Sequence, residues 1–247
     1  MAEPDDLIYL ALSKALLAGQ LPPGAQLVET RVASLFGVSR ERVRKALHRL
    51  GHERLIDVIP QRGAFVSAPT LSQAREVYEA RRIIEGGVAA RLAGRLTAGQ
   101  IRQLRQHGER EALALKSGDR GHSIELSRKF HLLLGEFCGN AFVIRELQEL
   151  VSRTSMLEAF FEPETASQCG CNEHHEIVDA LEQGDGMLAV KMMHTHLSLI
   201  ETRLRPEPAG ARNHDVEVVL IQAWDAVKAK VSCPDVVEGV RPGSERA

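Results

Sequence analysis

The stretch GVSRERVRKALHRL, residues 37–50, decides how this chain is read. It gathers Arg40, Arg42, Arg44, Lys45 and Arg49 against one acid, Glu41, in a chain of 247 residues whose formal net charge is -2. Ser39 stands where a helix N-cap accepts from backbone N–H groups, and Glu41 falls in the first turn, where the helix dipole favours an acid. On a helical wheel Val43, Ala46, Leu47 and Leu50 share one side, while Glu41, Arg44, Lys45, His48 and Arg49 face away. The pattern predicts an amphipathic helix with a cationic outer face.

Upstream, Leu7, Ile8, Ala11, Leu12, Ala15 and Leu16 repeat at helical spacing, and GQLPPG (19–24) ends that helix. VETRVASLF (28–36) is a short element before Gly37. Downstream, in GHERLIDVIPQRGAFVSAP (51–69), the period shortens. Runs at 55–59 and 64–67 flank the turn signal PQRG and predict a hairpin with Arg62 at its tip. Helix, helix, turn, helix and hairpin make a winged helix-turn-helix. Its second motif helix enters the major groove by its N-terminal residues, and arginine pairs bidentately with guanine. An isolated basic helix is more often simply solvated. Here the tight turn at Gly37, the capping Ser39 and the wing weigh against that.

Hydrophobic residues are 44% of the chain, enough for a substantial core, and no apolar run approaches the roughly 18 residues a membrane span needs. The acidic N-terminus MAEPDD is unlike a secretory signal, so a cytoplasmic, membrane-free protein is expected. Cys138, Cys169, Cys171 and Cys233 are expected as reduced thiols. Aromatics at 4% argue against stacking on single-stranded nucleic acid and leave groove reading open.

The segment from LPPG to RGAFV resembles the DNA-binding domain of GntR-family transcriptional regulators, over about the first 70 residues. That resemblance implies DNA contacts at Thr30, Ser39, Arg40, Arg42, Arg44, Arg62 and Gly63, with double-stranded operator DNA as the partner. Two departures stand out. Val28 occupies the usual position of a capping serine, and Glu41 with Arg42 replaces a small polar pair.

From residue 71 to 205 six amphipathic segments follow, parted by Gly, Asn or Pro, and predict one helical bundle. YEARRIIEGGVAARLA, FHLLLGEFCGN and EHHEIVDALEQGD resemble the FCD effector-binding domain of the FadR subfamily. The expected fold is therefore mainly α, a winged helix-turn-helix (1–70) followed by an antiparallel helical bundle (71–205). A linker, an extra helix anchored by Trp224 and a tail fill 206–247. That last helix could pack on its own bundle, touch a partner subunit or stay loose.

From spacing alone, three histidines on separate helices are usually structural. The family motifs imply instead that His131, His174 and His196 hold a divalent metal, zinc or another first-row transition ion, with an open position for an anionic effector. The family's further ligand, an Asp or Asn one turn before the first histidine, is Ser127 here. A neutral serine predicts weaker resting metal binding and a stronger pull on an anion. Arg81, or its neighbour Arg82, is expected to meet an effector carboxylate. His175 and His194 are placed at the surface or behind the ligands. CGCNEHH offers a rival zinc knuckle from Cys169, Cys171, His174 and His175, but CxC spacing without a second half is unusual.

No nucleophile elbow, phosphate loop or HEXXH helix is present. The expectation is a non-enzymatic homodimer that binds a pseudo-palindromic operator as a repressor and is released by an organic acid. Two rival functions stand beside it. One is a metal-dependent hydrolase drawing on Glu173 or Glu176, which read equally well as helix-surface residues. The other is a DNA-binding dimer without small-molecule control.

Overall fold

The computed structural model describes residues 4–163, 170–206 and 215–232. Its order is α1 (Pro4–Leu17), β1 (Gln26–Leu27), α2 (Glu29–Phe36), α3 (Arg40–His52), β2 (Ile56–Ile59) and β3 (Gly63–Val66). There follow α4 (Leu71–Leu92), α5 (Ala98–Lys116), α6 (Arg120–Cys138), α7 (Ala141–Phe161), α8 (Gly170–Gln183), α9 (Gly186–Arg203) and α10 (Val216–Ser232).

The opening stretch forms α3 as its residues require. Gly37 takes a left-handed φ of 65° that closes α2, and the Ser39 side chain accepts from the Arg42 amide. Val43, Ala46, Leu47 and Leu50 are buried on the inner side, against α1 and β2. Val28 precedes α2 without a side-chain cap, so that start rests on its backbone and on Glu29 in the first turn.

The wing is a hairpin with Val58 opposite Ala64 and Ile59 opposite Gly63, within a residue of the expected runs. Gln61 at φ 62° and Gly63 at φ 102° turn the chain, and Arg62 lies between them. The two-residue β1 adds a third strand in the order β1-β3-β2, too short for alternation in sequence to reveal.

The six bundle helices fall where their periodicity put them. Thr70 and Gln73 form a capping box at α4, Thr97 and Gln100 another at α5, and Asn140 and Asp185 cap α7 and α9. Helix α4 packs against α9, α7 and α6, around Tyr78, Phe130, Leu134, Ile177 and Leu197.

The two domains share a core. Ile124, Met156 and Phe160 of the bundle join the apolar cluster of the DNA-binding module. Close approach there depends on glycine: a Cβ at Gly121 would lie 2.7 Å from the Lys14 carbonyl oxygen, and one at Gly19 would collide with the carbonyl of Ala159. Lys14 pairs with Asp119 at 2.7 Å across the same seam.

The C-terminal helix corrects the expectations. It neither packs on the bundle nor stays loose, because α10 packs on α1 and α2 of the DNA-binding module. Trp224 stacks on Phe36 with ring centroids 4.7 Å apart, and Glu217 pairs with Arg31. Helix α2 is short and leaves Phe36 at its end, so an apolar helix can cover that edge.

Candidate functional site

His131 on α6, His174 on α8 and His196 on α9 meet inside the bundle, all three buried. The Nε2 atoms of His174 and His196 lie 3.1 Å apart, and those of His196 and His131 3.2 Å apart. Each ring has a carboxylate behind it. Nδ1 of His131 faces Glu85 at 2.5 Å, that of His174 faces Glu111 at 2.7 Å, and that of His196 faces Glu173 at 2.7 Å.

Each carboxylate favours a hydrogen on the Nδ1 it faces. Burial pushes His131 down to about 4, with Glu85 pulling the other way, and holds His196 well below the ordinary histidine range. A neutral imidazole donates from one nitrogen and accepts at the other, and the carboxylates claim the Nδ1 hydrogens. With the Nδ1 hydrogens turned to the carboxylates, the three Nε2 lone pairs would point into one small space, which suits a cation. Zinc bound tetrahedrally to nitrogen at about 2.0–2.1 Å would set such atoms about 3.3 Å apart. The donor set therefore fits a first-row divalent ion.

The three carboxylates are not evident in the sequence. Glu173 reads there equally well as a surface residue; it is half-buried and bridges His196 to Arg203, whose Nη2 donates to it at 2.8 Å. Glu85 and Glu111 look in sequence like ordinary polar positions of amphipathic helices. The signal that could have found Glu85 is its place four residues after Arg81.

Arg81 and Arg82 point to different surroundings. Arg82 pairs with Glu201 at the bundle edge. Arg81 is 1% exposed, its Nε donates to Glu85 at 2.6 Å and its Nη1 to Thr154 at 2.7 Å, while its Nη2 has no partner among the described residues. Burial would raise the Glu85 carboxyl, but Arg81 and His131 together outweigh it and hold the group down at about 2.

Ser127 lies one turn before His131 on α6 and lines a cavity of about 30 Å³ with His196, Ser123, Glu158, Glu162 and Arg203. His194 is exposed and its Nε2 bonds the Arg82 carbonyl, and His175 is half-buried against Gly108. Neither faces the centre. Of the rival knuckle, His174 belongs to the buried trio and Cys169 lies outside the described residues.

Thr30, Ser39, Arg40, Arg42, Arg44, Arg62 and Gly63 lie on the start of α2, the start of α3 and the wing, open to solvent in whole or in part. Gln26 Nε2 donates to the Arg62 carbonyl at 2.9 Å and steadies the wing tip. Arg44 donates from Nε and Nη2 to Glu29. A cleft of about 970 Å³ runs along the outer face of α3, with Gln148 of α7 on its far wall. Glu149 of α7 also reaches Arg54, at 3.8 Å. The C-terminal half of α3 thus faces the bundle, and its N-terminal residues are the ones open to a groove. No helix among the described residues is long and apolar enough to cross a membrane.

Comparison with known proteins gives the family and the fold. The family model "Bacterial regulatory proteins, gntR family" matches residues 5–66, and that of the FCD domain matches residues 76–199. HTH-type transcriptional repressor RspR of Escherichia coli (strain K12) is 31% identical over 201 residues, covering 80% of this chain and 87% of RspR. Among solved structures, E. coli McbR/YncC aligns with a TM-score of 0.64 at 22% identity, over 80% of this chain and 95% of that one. A GntR transcriptional regulator from Rhodococcus sp. RHA1 aligns at 0.59 and 24%, over 81% and 97%. At those identities the two structures speak for the fold alone.

Proposed function

Because the chain belongs to the GntR family of bacterial regulatory proteins, in the branch that carries an FCD domain, we propose that it is a homodimeric, metal-containing, effector-released repressor acting in the cytoplasm. It is a DNA-binding transcriptional regulator and not an enzyme. The repressor sign is supported by RspR, which is named for that activity. Two-fold symmetry would let two copies of α3 read the halves of a pseudo-palindromic operator, with Arg40 and Arg44 toward the bases and Thr30, Arg42 and Arg62 toward the backbone.

One observation carries the control half of this reading: three Nε2 atoms converge inside the bundle, and a carboxylate faces the Nδ1 atom of each ring. His131, His174 and His196 would hold the ion, which when bound supplies a positive centre with an open position for a ligand oxygen. The charges favour an anion there, since a divalent ion with Arg81, Arg120 and Arg203 exceeds Glu85, Glu111, Glu162 and Glu173 by one.

Helix α6 supports a route from that centre to DNA. Ser127 and His131 face the site, while Arg128 between them donates from Nη2 to Glu53 at 3.0 Å. Glu53 is the C-cap of α3 and also accepts from Tyr9 at 2.7 Å. An effector that shifts α6 would therefore move the end of the recognition helix. Couplings of this kind are typically about 1–3 kcal/mol.

Metal analysis of the purified protein tests the reading. The expected result is one divalent ion per chain, held less firmly through dialysis than a four-ligand site because Ser127 is neutral, and a fall in melting temperature on chelation. His131→Ala should lose both. Metal-free protein whose melting temperature ignores chelator and added zinc alike would overturn it.

A further inference from the structure

The acid at the start of the recognition helix stands where charge alone would exclude it. The outer face of α3 carries Arg40, Arg44, Lys45 and Arg49, and DNA phosphates are what such a face meets first. At about 3.6 residues per turn, Glu41 falls on the mid-line of that face, opposite the buried row Val43, Ala46, Leu47 and Leu50, with Arg44 on one side and Lys45 on the other. Its side chain is 78% exposed. A carboxylate there repels the DNA backbone, so its place calls for a gain that offsets the repulsion.

Two structural roles do not supply that gain. The first is help to the helix start. Ser39 already caps α3, and α4, α5, α6, α7 and α9 begin without an acid in the first turn, so helices of this chain start well without one. The other first-turn acids each hold an arginine: Glu29 holds Arg44, Glu173 holds Arg203 and Glu217 holds Arg31. The second role is pairing with Lys45, one turn on. That contact is 3.9 Å, between side chains 62% and 78% exposed, and an open pair of this kind contributes little.

Resting on the reading of α3 as the helix that enters the major groove, we infer that Glu41 is a specificity-determining residue that accepts from the N4 amino group of a cytosine in each half-site. An ionised carboxylate accepts and cannot donate. Guanine turns two acceptors to the major groove, thymine an acceptor and a methyl, and adenine an acceptor beside its amino group. Cytosine alone offers a donor with no acceptor beside it. Any other base leaves the carboxylate stripped of water without a full partner, which costs more than a contact never made. The guanine paired with that cytosine presents O6 and N7, which suit an arginine, and Arg44 stands three residues on along the same face. Acid and arginine together match both edges of one C·G pair.

The test uses the full-length protein and a duplex library randomised over two helical turns. Sites selected by the parent should carry cytosine at one fixed position of each half-site. Replacing that C·G pair in a synthetic duplex should weaken binding about tenfold in a fluorescence anisotropy titration. Glutamine pairs with adenine through N6 and N7, so sites selected by Glu41→Gln should carry adenine at the same position. Glu41→Ala should lose the preference there and bind scrambled duplex a few-fold more tightly at low salt, since a charge near the phosphates is gone. Glutamine and alanine are both good helix formers, so α3 is kept in each variant. Unchanged base preferences in both Glu41 variants, with Arg40→Ala still altering the selected sites, overturn the inference and leave α3 as the reading helix. Unchanged preferences in all three variants, or a parent that enriches no sequence, overturn that reading and this inference with it.

Discussion

Two arginines, Arg44 on the recognition helix and Arg81 in the bundle, each hold a glutamate and use it in opposite ways. Arg44 is 51% exposed, and its pairing with Glu29 sits in water. Such a pair is screened and exchangeable, so a phosphate or a base edge can take the place of Glu29 at little cost. Arg81 and Glu85 are 1% and 2% exposed, and Glu85 also orients His131. A charge in that position exists only because its partner is there. The comparison separates an output surface, where charges are free to change partners, from a control centre, where every charge is tied to a fixed partner and a ligand must rearrange several at once.

The largest expected effect tests how firmly the buried partners are tied. Arg81→Met should destabilise the protein by about 3–5 kcal/mol, since it leaves the Glu85 carboxylate buried without a cation. Urea unfolding in the presence of chelator measures it without the contribution of the metal. The double variant Arg81→Met with Glu85→Gln should recover much of the loss, because glutamine can still accept from His131 Nδ1 and carries no charge. A single variant within about 1 kcal/mol of the parent would break the distinction between the two arginines.

The same contrast explains what can be read from sequence. The winged module is legible because its signals are local. Gly37 ends a helix, Ser39 begins one, the apolar side of α3 follows the wheel and PQRG marks the turn of the wing. The six bundle helices are legible for the same reason. The histidine trio is named by its motifs, and spacing alone does not favour it. Its supporting carboxylates stay hidden, because Glu85 and Glu111 come from helices whose polar positions look alike until the bundle closes. The placement of α10 is hidden too: an apolar helix after a linker has many surfaces to choose from, and only the fold shows Phe36 uncovered at the end of α2.

On the output surface the expected effects are smaller and leave the fold alone. Arg40→Ala should weaken specific operator binding by about 1–3 kcal/mol and relax preference at one base position. Its unfolding free energy should stay within about 0.5 kcal/mol of the parent, as for exposed substitutions generally. Affinity measured on the operator and on scrambled DNA separates a base contact from a phosphate contact, since an equal fall on both assigns Arg40 to the backbone.

The smallest effect is the sharpest test of exchangeability. If Arg44 is held by Glu29 in the free protein and passes to DNA in the complex, then Glu29 competes with the operator. Glu29→Gln removes a charge that Arg44 keeps ionised, below the ordinary carboxylate range, and that lies close to incoming phosphates. The variant should bind operator a few-fold more tightly at low salt. The gain should shrink as salt rises, because screening weakens the competition it removes. Thermal stability should hardly change. An operator affinity that falls instead would mean that Glu29 positions Arg44 for its contact, and the exposed pair would then be no freer to change partners than the buried one.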